Sequence, residues 1–90
     1  MATGGLPPLR LIHSDRTFRA GRGKLSIEYW RTRSTPEIVA SLLRRPHDPA
    51  YQEYLKVKYD GTVMQGNTRV RVLAERGYNV NKLPRFPVED

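Results

Sequence analysis

Between Leu55 and Tyr59 apolar and charged positions alternate, with Lys56 and Lys58 separating Leu55, Val57 and Tyr59. A period of two is that of a half-buried β-strand. Asp60-Gly61 follows, a pair that closes a hairpin because both residues take positive φ at little cost. Thr62-Val63-Met64-Gln65 is then a short return strand that stops at Gly66. There the period changes: Val70, Leu73 and Ala74 recur at helical spacing between Asn67 and Arg76, and Gly77 supplies the stop. A second helix is predicted over residues 35 to 45. Ser34-Thr35-Pro36-Glu37 gives a hydroxyl cap, an early proline and a glutamate at capping-box spacing, and Ile38, Val39, Leu42 and Leu43 form one apolar stripe ahead of Arg44-Arg45. Leu25, Ile27 and Tyr29 alternate with Ser26, Glu28 and Trp30, which predicts a further strand. Leu9, Leu11 and Ile12 suit a brief extended segment, and residues 78 to 85 an edge strand or extended cover whose Val80 and Leu83 close the core.

Together these elements predict an α/β (α+β) domain: a small mixed sheet of three to four strands, containing a β-hairpin at about 55 to 65, with two packed helices sharing one core. Residues 1–8, rich in Gly and Pro, are expected to be a flexible arm, residues 9–85 a single domain and residues 86–90 a tail. Ninety residues suit one small domain.

Charge narrows the choice of partner. Sixteen Lys and Arg stand against nine Asp and Glu, a formal charge of +7. Most of the cations are arginine, which matches the planar oxygens of phosphate or carboxylate better than lysine does. A polyanion is therefore the first partner to expect, and an acidic protein the second. The absence of cysteine excludes disulfides, thiolate zinc sites and thiol catalysis. No apolar run is long enough to cross a membrane and no apolar signal core opens the chain, so the expectation is a cytoplasmic protein without a membrane partner.

The junction Gly66-Asn67-Thr68-Arg69 combines four features of an anion site. The helix it opens directs free amides and a positive dipole end outward, Asn67 can cap that turn, Gly66 lets a ligand approach the backbone, and Arg69 can fork onto phosphate oxygens. Thr68 and Arg71 extend the candidate phosphate-binding set. The same residues also suit ordinary turn geometry with a solvated Arg. Two further clusters interleave cations with aromatics, as nucleic-acid contacts do: Arg16, Phe18, Arg19, Arg22 and Lys24 in one, which equally suits a solvated surface loop with Phe18 tucked into the core, and Trp30, Arg31 and Arg33 in the other. His13 with Asp15, and His47 with Asp48 between two prolines, read as turn and loop residues rather than proton shuttles. No metal site is assigned, and Mg2+ arriving with a nucleotide is the one cofactor such a junction suggests.

The run Leu55-Lys56-Val57-Lys58-Tyr59-Asp60-Gly61-Thr62-Val63-Met64-Gln65-Gly66-Asn67-Thr68-Arg69, continuing to Gly77, resembles the core of the ParB and sulfiredoxin-like superfamily. The match covers residues 55–77, with a looser one back to about residue 25. The resemblance implies a ParB-like fold and a junction that holds nucleotide phosphates; some members bind or cleave nucleic acid. The departures are specific. Asn67 stands where sulfiredoxins carry their reactive cysteine, and Asn67-Thr68-Arg69 lies where nucleotide-hydrolysing ParB proteins carry Glu-Arg-Arg, so only the last Arg is kept. What the resemblance implies is phosphate binding, with a nuclease or a nucleotide-using toxin of a bacterial toxin–antitoxin pair as the enzymatic version, covered by an acidic antitoxin. The alternatives are a non-catalytic DNA- or RNA-binding module and a basic adaptor for an acidic protein.

Overall fold

A computed structural model describes residues 7–12 and 21–87 of the chain. In chain order it contains β1 (Arg10–Leu11), α1 (Gly21–Arg31), α2 (Thr35–Ser41), β2 (Lys56–Val57), β3 (Thr62–Gln65), α3 (Asn67–Glu75), a 3-10 turn (Val80–Lys82) and β4 (Phe86–Pro87). The architecture is α+β, with a four-stranded mixed sheet in the order β1-β3-β2-β4. β3 pairs antiparallel with β2 and parallel with β1, and β4 runs parallel to β2.

The hairpin forms as expected but its turn differs. Tyr59 and Asp60 are the central residues, closed by Gly61 N–H donating to Lys58 O at 2.9 Å. Only Gly61 takes a positive φ, at 93°. A turn followed by a left-handed glycine makes the longer hairpin loop, and it spares Asp60 the strained conformation. A Cβ at Gly61 would run into the Pro8 carbonyl, so the turn is packed under the N-terminal segment.

The strand expected over Leu25–Trp30 is instead part of α1. Its inward positions are Gly23, Ser26, Ile27 and Trp30, spaced i, i+3, i+4, i+7, while Leu25 and Tyr29 are 70% and 51% exposed. Six residues satisfied both periods, and tertiary space decided between them. β1 and β2 already occupy both edges of β3 and β4 occupies the free edge of β2, whereas α3 offers a packing face.

α3 is the central helix, touching α1, α2 and the 3-10 turn. That explains why Val70, Val72 and Leu73 are all buried while Ala74, expected in the core, is exposed. α2 begins as predicted: Ser34 is the N-cap, its Oγ accepting from Glu37 N–H at 3.3 Å and donating to Glu37 Oε1 at 3.1 Å. It ends at Ser41 rather than near residue 45, because its last carbonyls are taken by distant donors. Leu42 O accepts from Leu55 N–H at 2.9 Å, and Ser41 O accepts from the Tyr51 hydroxyl at 2.6 Å.

Ile27, Ile38, Leu42, Leu55, Val57, Val63, Val70, Val72, Leu73 and Leu83 form one core, with Val80 packed against it. Leu83 closes it from a 3-10 turn and extended segment rather than from an edge strand over 78–85. β4 carries the sheet through Pro87, past the expected boundary at residue 85. Pro7 O accepts a hydrogen bond from Arg85; the rest of the expected arm, residues 1–6, lies outside the described residues.

Candidate functional site

At the junction of β3 and α3 the surface opens into a cleft of about 300 Å³. Gly66, Asn67, Thr68 and Arg69 form its base, Trp30 and Ser26 of α1 line it, and Tyr51, Glu53, Met64 and Gln65 complete it. Four of the five candidate phosphate residues are thus brought together, joined by Trp30 from the candidate nucleic-acid set.

Gly66 is fixed by geometry. Its φ is 102°, and a Cβ there would stand 3.0 Å from Leu42 Cδ2 and 3.2 Å from Leu55 Cδ1. It is the N-cap of α3, and no side chain caps the helix. The first backbone bond across the turn is donated by Val70 N–H to Gly66 O at 2.9 Å, so the amides of Asn67, Thr68 and Arg69 precede the helical ladder at the positive end of the dipole.

Asn67 does not cap the helix as the sequence suggested. Buried, its Oδ1 accepts from Ile12 N–H at 2.9 Å and its Nδ2 donates to Val63 O at 2.8 Å, clamping β1 and β3 to the helix start. Arg69 is also turned inward rather than forked toward the open cleft. Only 7% exposed, its Nη1 donates to Ser41 O at 2.9 Å and Ser41 Oγ at 3.1 Å, and its Nη2 to Glu53 O at 2.5 Å. The guanidinium carbon lies 5.4 Å from the centre of the Trp30 ring. Burial pushes the Arg69 guanidinium down from the ordinary arginine value, opposed by Tyr51 and Glu53. It is a fixed cation in the base of the cleft. Sequence reading found the residue but not its direction, because the acceptors are backbone carbonyls 16 and 28 positions away.

Thr68 is half-buried in the cleft lining, in the first turn of α3, and among the described residues its hydroxyl has no hydrogen-bond partner. Arg71 falls outside the lining. It lies 3.6 Å from Glu75, to which Arg31 donates from Nε at 3.1 Å and Nη2 at 2.7 Å. Arg31 therefore ties α1 to α3 while its side chain stays half-exposed. Its hydrogen bonds hold the Glu75 carboxyl below the usual range. Arg33 lies 5.0 Å over the Tyr29 ring and 3.6 Å from Glu37. Arg22 and Lys24 are exposed on α1, a helix rather than a surface loop. Arg16, Phe18, Arg19, His13 and Asp15 lie outside the described residues.

Ser26, Tyr51, Glu53, Met64 and Gln65 were missed as site residues. Gln65 donates to the backbone carbonyls of Gln52 and Tyr54, which draws the 51–54 loop against the end of β3. Arg45 packs 3.8 Å over the Tyr51 ring. His47 and Asp48 sit in a loop as expected, with Asp48 O accepting from Tyr51 N–H at 3.0 Å. Among the described residues there is no cluster of three or more His, Cys, Asp or Glu that could hold a metal, and no helix long and apolar enough to cross a membrane. Comparison with protein-family models, curated proteins and solved structures finds no match to this chain.

Proposed function

We propose that this domain is a non-catalytic module that binds phosphate groups of a nucleotide or nucleic acid in the cleft at the start of α3. The observation that carries the reading is the convergence on one cleft of an uncapped helix N-terminus, the Thr68 hydroxyl, the Trp30 and Tyr51 rings and the buried Arg69 cation. Amides and dipole suit an anion, and the rings suit the base attached to it. Net charge of +7 supports a polyanion, and the resemblance of Gly66 to Arg69 to the ParB-like junction points the same way. A nuclease or nucleotide-using toxin would need a proton donor and acceptor beside the phosphate. Among the described residues the cleft lining offers one carboxylate, Glu53, and no histidine, which favours binding over turnover.

The test uses fluorescence anisotropy with labelled DNA, RNA, ATP and CTP, with and without magnesium, on the intact protein and on Thr68→Glu. A glutamate in the first turn complements the helix dipole, so the fold is retained while phosphate is repelled. The expected result is saturable, salt-sensitive binding, at least tenfold weaker in the variant, with no product formed. Equal binding by the variant would remove the cleft from the account, and turnover would make the protein an enzyme.

A further inference from the structure

The sheet has two faces, and the core uses one. Leu11, Val57 and Val63 turn into the core. Side chains alternate along a strand, so Arg10, Ile12, Thr62, Met64, Lys56 and Lys58 belong to the other face. The contact of Arg10 Nη2 with Thr62 Oγ1 at 3.1 Å agrees with that placement. The face is open: Ile12 is 50% and Met64 41% exposed, and Arg10 and Lys58 are exposed as well. Lys56 pairs with Gln65 while Val57 pairs with Val63, so Met64 is the extra residue of a bulge. Bulges re-aim side chains. Met64 accordingly sits on the open face and also lines the cleft.

In the turn that joins β2 to β3, at the end of the hairpin away from the cleft, stands Tyr59, 97% exposed. Its turn is rigidly held: Lys58 N–H donates to Thr62 O at 2.9 Å, Thr62 N–H to Asp60 Oδ1 at 2.9 Å, and Arg10 N–H to Gly61 O at 2.8 Å. A fully exposed ring on a fixed turn does nothing for the fold, and it loses little freedom when something stacks on it. Three cations, Arg10, Lys56 and Lys58, share the face; Lys56 Nζ lies 3.5 Å from Gln52 Oε1 and 5.1 Å over the Tyr54 ring, and the exposed ion pair of Arg10 with Asp60 at 3.2 Å is weak enough to exchange.

We propose that this open sheet face binds single-stranded nucleic acid, with a base stacked on Tyr59, phosphates met by Arg10, Lys56 and Lys58, and the strand passing Ile12 and Met64 toward the cleft. Single strands are specified because a base must present its face to the ring. The cleft end of the track rests on the function proposed above; the Tyr59 end stands on its own observations. Gly61 and Gly66 are separated by about 16 Å of extended chain, at about 3.3 Å per residue. A single strand must therefore run over several nucleotides to reach both ends.

The experiment measures binding of labelled oligothymidylates of two, four, eight and twelve nucleotides, at two salt concentrations, to the intact protein, Tyr59→Ala, Tyr59→Phe, Lys58→Ala and Thr68→Glu. Affinity is expected to rise sharply between four and eight nucleotides. Tyr59→Ala should weaken the octamer by about 5- to 100-fold and leave the dinucleotide unchanged, with Tyr59→Phe close to the intact protein. Lys58→Ala should lower the salt slope by about 0.7. Equal octamer affinity in Tyr59→Ala, or no oligonucleotide binding at all, overturns the proposal. Loss of octamer affinity in Tyr59→Ala with Thr68→Glu unchanged at every length sinks the cleft reading and sustains binding at the sheet face.

Discussion

Replacing Arg69 by methionine should unfold the protein more easily rather than simply empty the site. The guanidinium closes the end of α2 by donating to Ser41 O and Ser41 Oγ, and it holds the 51–55 loop through Glu53 O. Hydrogen bonds from a charged donor contribute about 1.5–3 kcal/mol each, and a buried carbonyl left alone costs about 1–3 kcal/mol. Ser41 O keeps the Tyr51 hydroxyl at 2.6 Å, so Glu53 O, only part-buried, is the acceptor that loses its donor and its cost falls at the low end of that range. Relief of the desolvated cation offsets part of the loss, as the downward push on the Arg69 pKa indicates. Methionine also refills much of the space. The net loss is about 3 kcal/mol, which lowers Tm by about 12–24 °C for a domain of this size. Arg69→Lys keeps the charge but loses the fork and should fall between. Thermal melts read by circular dichroism, with urea midpoints as a second measure, decide the matter. A Tm within about 2 °C of the intact protein, with phosphate binding abolished, would refute the structural role and restore Arg69 as a ligand fork.

Gly66→Ala should cost about 1–3 kcal/mol, since its φ of 102° is unfavourable to a side chain and Leu42 and Leu55 must give way; a urea midpoint measures it. Asn67→Ala leaves Ile12 N–H and Val63 O without their partner, and a loss of about 2 kcal/mol is expected, with hydrogen exchange accelerated first in β1. Acid should destabilise the fold through Glu75. Its folded pKa is depressed by Arg31, so its contribution is complete above the ordinary glutamate value of about 4.3 and is lost as pH falls through the lower folded value. Glu75→Gln should be less stable near neutrality and show a flatter acid limb in Tm against pH.

The hairpin, α3, the start of α2 and the closing role of Leu83 were legible because local signals agreed: period, turn residues and a capping box. α1 was not, since Leu25, Ile27 and Tyr29 satisfy a period of two within six residues, and only packing on α3 shows that Gly23, Ser26, Ile27 and Trp30 are the inward set. The end of α2 was illegible for a different reason. Ser41 and Leu42 lose their helical role to Arg69, Tyr51 and Leu55, donors far along the chain that no local rule anticipates. At the site, the sequence located Gly66 to Arg69 through glycine and helix-start chemistry. It could not tell that the Asn67 and Arg69 side chains would be spent on the scaffold, leaving backbone amides, Thr68 and the aromatic walls to face the cleft.

Trp30 is the only tryptophan, it lines the cleft, and the Arg69 cation lies 5.4 Å from its ring, so its emission reports directly on occupancy. Titrating the intact protein with an oligothymidylate of eight nucleotides, beside Thr68→Glu, is the most direct test of phosphate binding at the start of α3. A saturable change in Trp30 emission that weakens with salt and is lost in Thr68→Glu is the expected result. Emission that does not respond while the oligonucleotide binds, or that responds equally in both proteins, would contradict it.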